Sequence, residues 1–177
     1  MIIQQSYIDR IKNKDEIAFE YVYEKTKRAV YSVIFAVTKN HVLSEDVMQE
    51  VYMKMLKSIH QYKENTNFLN WILQIAYHHS IDNYRKYKNH SIVDVNDYSQ
   101  ILVSHEIGPD EEEKFNSMIS ILDEDERLVV LLKVVEEMKH REIAKVLEKP
   151  IGTVIWIYNK AMKKLKKVGG YDEQETN

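Results

Sequence analysis

Between residues 15 and 39 the apolar positions Phe19, Val22, Tyr23, Thr26, Val30, Val33, Ile34 and Val37 recur at steps of mostly three and four. That spacing gathers them on one face of a long helix and scatters them on a strand. A helix with such a stripe must bury it against other helices or a sheet. The signature returns at Val47, Val51, Met55 and Ile59, and again at Phe68, Trp71, Ile72, Ile75, Ala76 and His79. It returns a last time at Phe115, Met118, Ile119 and Leu122, then Leu128, Leu131, Leu132 and Val135. No stretch alternates with a period of two, and no internal repeat is present. Four glycines and two prolines among 177 residues leave few breaks. The expected fold class is therefore all-α with short connections. Asn40 is expected to end the first long helix, by its tolerance of the left-handed conformation. Ser44 then reads as the cap of the next helix, over about 42–60, with Glu45 and Asp46 at its positive end. The polar loop Lys63-Glu64-Asn65-Thr66-Asn67 leads to a third helix capped by Asn67. Two short helices, at roughly 140–148 and 152–167, follow near the end. The last of them has a core stripe of Val154, Tyr158, Ala161 and Leu165.

Periodicity fails between Ser91 and Glu113, where seven acids stand with no Lys or Arg and a Gly-Pro pair interrupts the chain. This reads as a linker between two ordered lobes. The charges are segregated accordingly. Residues 1–90 hold 13 Lys/Arg against 10 Asp/Glu, residues 91–126 one against 11, and residues 127–177 11 against 7. Two mildly basic lobes flanking an acidic middle can mark nucleic-acid contact, although lobes this weakly basic read first as an ordinary solvated surface. The expected division is a lobe over 1–90, a linker over 91–113, a second lobe over 114–170 and a tail over 171–177. The absence of cysteine suits a reducing cytosol. The first twenty residues have no long apolar core and carry early acids, which argues against a secretory signal. No run approaches the ~20 apolar residues of a membrane span.

Catalysis finds no foothold. Three of the four glycines, Gly108, Gly169 and Gly170, fall outside the expected helices, so no phosphate-cradling loop can be built. Glu137-Met138-Lys139-His140 is the sole Glu-x-x-His, whereas a di-iron bundle needs two such pairs. His78 and His79 are helix neighbours that diverge by about 100° and suit no common metal. No nucleophile, base and orienting group assemble. No catalytic residue, metal or cofactor is expected.

Binding faces are easier to find. Opposite the core stripe of the second helix lie Asp46, Gln49, Glu50, Met53 and Lys57, either solvated surface or a face for docking a protein. Opposite the core of the third lie Asn70, Gln74, Tyr77, His78 and Arg85, a mixture of amide, aromatic and cationic groups that suits unstacked single-stranded bases. The last helix turns Ile155, Trp156, Asn159, Lys160, Lys163, Lys164 and Lys167 away from its core stripe. A terminal lysine run often only complements the helix dipole, but a Trp beside an Ile on an open face marks an interface.

Three stretches, in order, resemble the extracytoplasmic-function group of bacterial sigma factors. "SEDVMQEVYMKMLKSIHQY" resembles that family's A-E-D-x-x-Q-E-x-F helix, "FLNWILQIAYHHSIDNYRK" its −10 element helix, and "LDEDERLVVLLKVVEEMKHREIAKVLEKPIGTV" its −35 element domain. The resemblance implies two small helical domains, a clamp-binding one and a C-terminal four-helix helix-turn-helix domain, joined by the acidic linker. It implies a dissociable subunit that binds core RNA polymerase at its clamp and flap regions and directs it to promoter DNA in the cytoplasm. An anti-sigma factor is the implied regulatory partner, and no membrane insertion of its own is expected. By that likeness Asp46, Gln49, Glu50, Met53 and Lys57 would meet polymerase. Lys63, Asn65, Asn67, Asn70, Trp71, Gln74, Tyr77, His78 and Arg85 would serve the −10 element, with residues 63–67 capturing a flipped base. Arg141, Thr153, Ile155, Trp156, Asn159, Lys160, Lys163 and Lys164 would serve the −35 element.

The chain also departs from the family pattern. Where relatives continue G-T-V-K-S-R-L-x-R-A, it reads Gly152-Thr153-Val154-Ile155-Trp156-Ile157-Tyr158-Asn159-Lys160-Ala161. Gln74 and Tyr77 stand where cations are common, His78 at the usual Asn, and Glu148 at a frequent turn Gly. Two readings of Ile155, Trp156 and Ile157 follow. In one, Ile155 and Trp156 meet thymine methyls, with Asn159 on adenine and Lys160 on guanine or phosphate. In the other, the three pack on an anti-sigma protein or on the first lobe.

Overall fold

The computed structural model describes residues 3–64, 66–88 and 117–168. Among the described residues every regular element is helical. The N-terminal lobe comprises α1 (Gln5–Lys12), α2 (Glu16–Thr38), α3 (His41–Ser58), a 3-10 turn (Ile59–Gln61) and α4 (Phe68–Lys88). The C-terminal lobe follows a helical stretch over 117–120. It consists of α5 (Glu124–Val130), a π-type turn (Leu131–Val135), α6 (His140–Val146) and α7 (Ile151–Val168). The expected linker over 91–113, the tail over 171–177 and Asn65 lie outside the described residues.

Local chemistry accounts for the boundaries. The Asp15 carboxylate accepts the Ala18 N–H at 3.0 Å and opens α2. Lys39, at φ 51°, ends α2 with its N–H on the Phe35 carbonyl. Asn40 does not end α2; its side chain accepts the Leu43 N–H at 2.9 Å and caps α3. Ser44 lies inside that helix, buried, with its hydroxyl on the Asn40 carbonyl and against the Thr38 hydroxyl. Both corrections have one cause: Asn suits an αL stop and an N-cap alike, and Ser can bond back to the preceding turn inside a helix. Asn67 does cap α4, accepting the Asn70 N–H at 3.2 Å. α7 begins at Ile151, one residue before Gly152. α1 escaped the periodicity because it buries only Ile8 and Ile11.

At the end of α5 the Glu136 N–H reaches Leu131 O and the Met138 N–H reaches Leu132 O, with Glu137 at φ 54°. A left-handed residue beneath a six-residue closure is how a helix terminates without an orphaned carbonyl.

The two lobes share one apolar core. α2 packs on α3 and α4 and also on α5 and the π-type turn. Every residue from Ser32 to Thr38 is therefore buried. Polar contacts stitch the α2 side of the junction. Arg127 Nε donates to Ala36 O at 2.9 Å, Arg28 Nη2 to Val135 O at 3.0 Å, and the Ser32 hydroxyl to Glu136 at 3.1 Å.

Candidate functional site

α3 presents its outward stripe as expected. Asp46, Gln49, Glu50, Met53 and Lys57 are all exposed. The structure adds Val42 and Leu56, exposed large apolar residues that continue the line Val42, Asp46, Gln49, Met53, Leu56 at steps of four, three, four and three. Those steps were available in the sequence. Exposed apolar groups thus stand beside a carboxylate and an amide on one face of the helix. Glu50 sits at its edge, accepting from His79 Nε2 at 2.7 Å and Asn83 at 3.2 Å. His79 is thereby half-buried, between core and surface.

α4 carries the second set on the face turned toward α6. Gln74 donates to the Lys145 carbonyl at 2.7 Å, Asn67 approaches Glu142 at 3.5 Å, and His78 lies 3.5 Å from Glu148. Asn70, between Asn67 and Gln74 on that face, is only 7% exposed. Tyr77 is half-buried, and desolvation pushes its hydroxyl pKa up. Trp71 packs among Tyr62 and Phe68, with ring centroids 5.3 and 5.5 Å away. Lys63 and Arg85 are exposed.

On α7, Thr153, Ile155, Trp156, Asn159, Lys160 and Lys163 are exposed, as is Arg141 on α6. Ile157 is not; it belongs to the core, because one residue step of the helix carries it 100° past Trp156 onto the Val154–Ala161 side. Trp156 is 61% exposed, and Lys160 Nζ stands 5.3 Å from its ring centroid. Ile155 and Trp156 therefore do not pack on the first lobe.

Lys160 and Lys164 have a second allegiance that the sequence reading missed. Lys164 Nζ lies 2.5 Å from Glu126, and Lys160 Nζ lies 2.9 Å from Glu126 and 3.3 Å from Asp123. Glu126, 1% exposed, and Asp123 form the capping box of α5. Burial alone raises both carboxyls, but hydrogen bonds from Lys164, Lys160 and the Asp123 backbone outweigh it for Glu126, and those from the Glu126 backbone and Lys160 for Asp123. Both therefore end below their ordinary values. The Asp-x-x-Glu pattern at 123–126 was the signal that could have placed these carboxylates.

No group of residues among those described could hold a metal ion. No described helix is long and apolar enough to cross a membrane.

Family comparison bears directly on this arrangement. The model of sigma-70 region 2 matches residues 22–90, and that of sigma-70 region 4 matches residues 112–165. The chain belongs to the extracytoplasmic-function group of sigma factors. It is 28% identical over 162 residues to the ECF RNA polymerase sigma factor SigX of Bacillus subtilis, covering 86% of this chain and 84% of the relative. SigW of the same organism is 27% identical over 161 residues, covering 83% and 86%. In fold, this sigma factor is similar to the sigma factor RpoE of Bartonella quintana, solved with the anti-sigma factor NepR. The TM-score is 0.72 at 16% identity, covering 88% of this chain and 98% of that one. CnrH, solved with the cytosolic domain of CnrY, gives a TM-score of 0.69 at 17% identity, covering 94% and 97%. As a sigma factor the protein acts with core RNA polymerase in promoter-specific initiation of transcription.

Proposed function

We propose that this sigma factor grips core polymerase through the outward stripe of α3, reads and melts the −10 element with the face of α4, and reads the −35 element with α7. The single observation that supports this most is the mixed face Val42, Asp46, Gln49, Met53 and Leu56, which leaves apolar side chains in water beside polar ones. A free-standing repressor has no use for such a face. The promoter work needs no catalytic residue, since melting is driven by binding. Extruding a base costs a few kcal/mol, which stacking and edge hydrogen bonds must offset. Lys63, Asn67, Asn70, Trp71, Gln74, Tyr77, His78 and Arg85 supply those partners, with Asn65 in the same loop. On α7, Ile155 and Trp156 meet thymine methyls and Asn159 pairs with adenine, so the upstream element is richer in A·T than is usual in the family. Arg141, Thr153 and Lys163 position the helix on phosphates, joined by Lys160 and Lys164 when they leave Glu126. The protein works in the cytoplasm, as a non-enzymatic factor held by an anti-sigma factor until a signal releases it. The solved complexes of similar fold support that last reading.

The test is complex formation with purified core polymerase, followed by run-off transcription. Asp46→Ala with Gln49→Ala should abolish association while leaving the chain folded. Undiminished polymerase binding in that double variant sinks the reading.

A further inference from the structure

We infer that His79 and Asn83 of α4 are positioning residues for polymerase docking: they clamp one oxygen of Glu50 and leave the other presented to the partner. The inference rests on the assignment of the α3 stripe to polymerase. His79 Nε2 lies 2.7 Å from Glu50 Oε2, and Asn83 Nδ2 donates to the same oxygen at 3.2 Å. A carboxylate only accepts hydrogen bonds, so the imidazole proton at this contact belongs to Nε2. Oε1 accepts no hydrogen bond among the described residues, and the Glu50 side chain remains 55% exposed.

The clamp is itself fixed. His79 and Asn83 stand four residues apart on α4, so both side chains leave the same face of the helix. Asn83 Nδ2 also donates to the His79 carbonyl at 3.1 Å, and both residues are half-buried where α4 packs on α3. Glu50 differs in this from its neighbours on the stripe. Asp46 and Gln49 make no side-chain hydrogen bond among the described residues, so each gives up its rotamer freedom only when a partner arrives. Immobilising such a side chain lowers affinity, and one held beforehand lowers it less. Pairing also has the opposite effect, because a carboxylate already bonded is a weaker acceptor for a newcomer. Here both donors land on Oε2, so that competition falls on the anchored oxygen and spares Oε1. The docking face is therefore not the work of α3 alone: the helix assigned to the −10 element supplies the anchor for one of its carboxylates.

Biolayer interferometry of the full chain on purified core polymerase tests this. Glu50→Ala should weaken binding by about tenfold. His79→Phe with Asn83→Leu keeps side-chain bulk at the junction while removing both donors, and should weaken binding by roughly two- to tenfold. Thermal melting checks that this chain is folded; should it not fold, Asn83→Leu alone makes the same comparison through one donor. Made in the Glu50→Ala chain, the paired change should move affinity by less than about twofold, since no carboxylate is left to position. His79→Gln, which returns an N–H donor beside the intact Asn83, should restore binding to within about twofold of wild type. A His79→Phe, Asn83→Leu chain that binds as tightly as wild type, or more tightly, overturns the positioning role. So does a loss of equal size in the Glu50→Ala chain, which marks a packing effect. In both cases Glu50→Ala still weakens binding and the docking assignment stands. A Glu50→Ala chain that binds like wild type overturns the place of Glu50 in the docking face and the positioning role together.

Discussion

Arg127 is a charge buried almost completely, 2% exposed, and it ties the lobes together. Its Nε donates to Ala36 O at 2.9 Å and its Nη1 to Leu122 O at 3.0 Å. Ala36 lies in the last turn of α2, where carbonyls lack a partner further along the helix and a cation complements the dipole. Arg127→Leu removes two charge-assisted bonds, each contributing about 1.5–3 kcal/mol. Against that gross loss of roughly 3–6 kcal/mol, it relieves the guanidinium of its burial and adds apolar contact, offsetting a few kcal/mol. The net loss is about 2–4 kcal/mol. At about 2–4 °C per kcal/mol for a chain of this size, Tm should fall by roughly 5–15 °C. Arg127→Lys keeps the charge but has one donor centre in place of the fork, and should fall between. Thermal unfolding followed by far-UV circular dichroism is the assay. A Leu variant melting within about 2 °C of wild type, or above it, refutes the reasoning, for burial would then cancel both bonds.

Other outcomes follow from single features. Trp156→Ala should cost roughly 1–3 kcal/mol of discrimination at the upstream element with melting nearly unchanged; binding-site selection that returns the same sequence with and without the indole counts against the groove role. Glu126 and Asp123 have lowered pKa values, so their contribution to stability is full above the ordinary 4.5 and 3.8 and is lost as pH falls through the depressed folded values. Glu126→Gln should flatten the acid side of the Tm–pH curve, and an unchanged acid limb would contradict the ion network. Glu148, at φ 52°, closes the turn after α6 in a conformation that disfavours a side chain. Glu148→Gly should raise stability by about 0.5–1 kcal/mol; a lower melting temperature would mean that its contact with His78 outweighs the strain.

The helical class, the run of α2, α3, α4 and α7, the Asn67 cap and the outward stripe of α3 were all legible in the order of residues. Each depends on a spacing of three or four, and that spacing belongs to a single helix. What a single helix cannot encode is what lies against its other side. Val33, Ile34 and Val37 announced one buried face of α2, but Phe35 and Ala36 are buried as well, because a second lobe covers the opposite flank. Lys160 and Lys164 read as open cations until α5 brought Glu126 beneath them. Asn70, Gln74 and Tyr77 read as an open face until α6 came to rest on it. Periodicity thus determined which residues leave water, whereas the meeting of the lobes decided which polar groups remain available. The first is a property of 3.6 residues per turn; the second arises from contacts between residues up to 107 positions apart, such as Arg28 with Val135, which no local pattern contains.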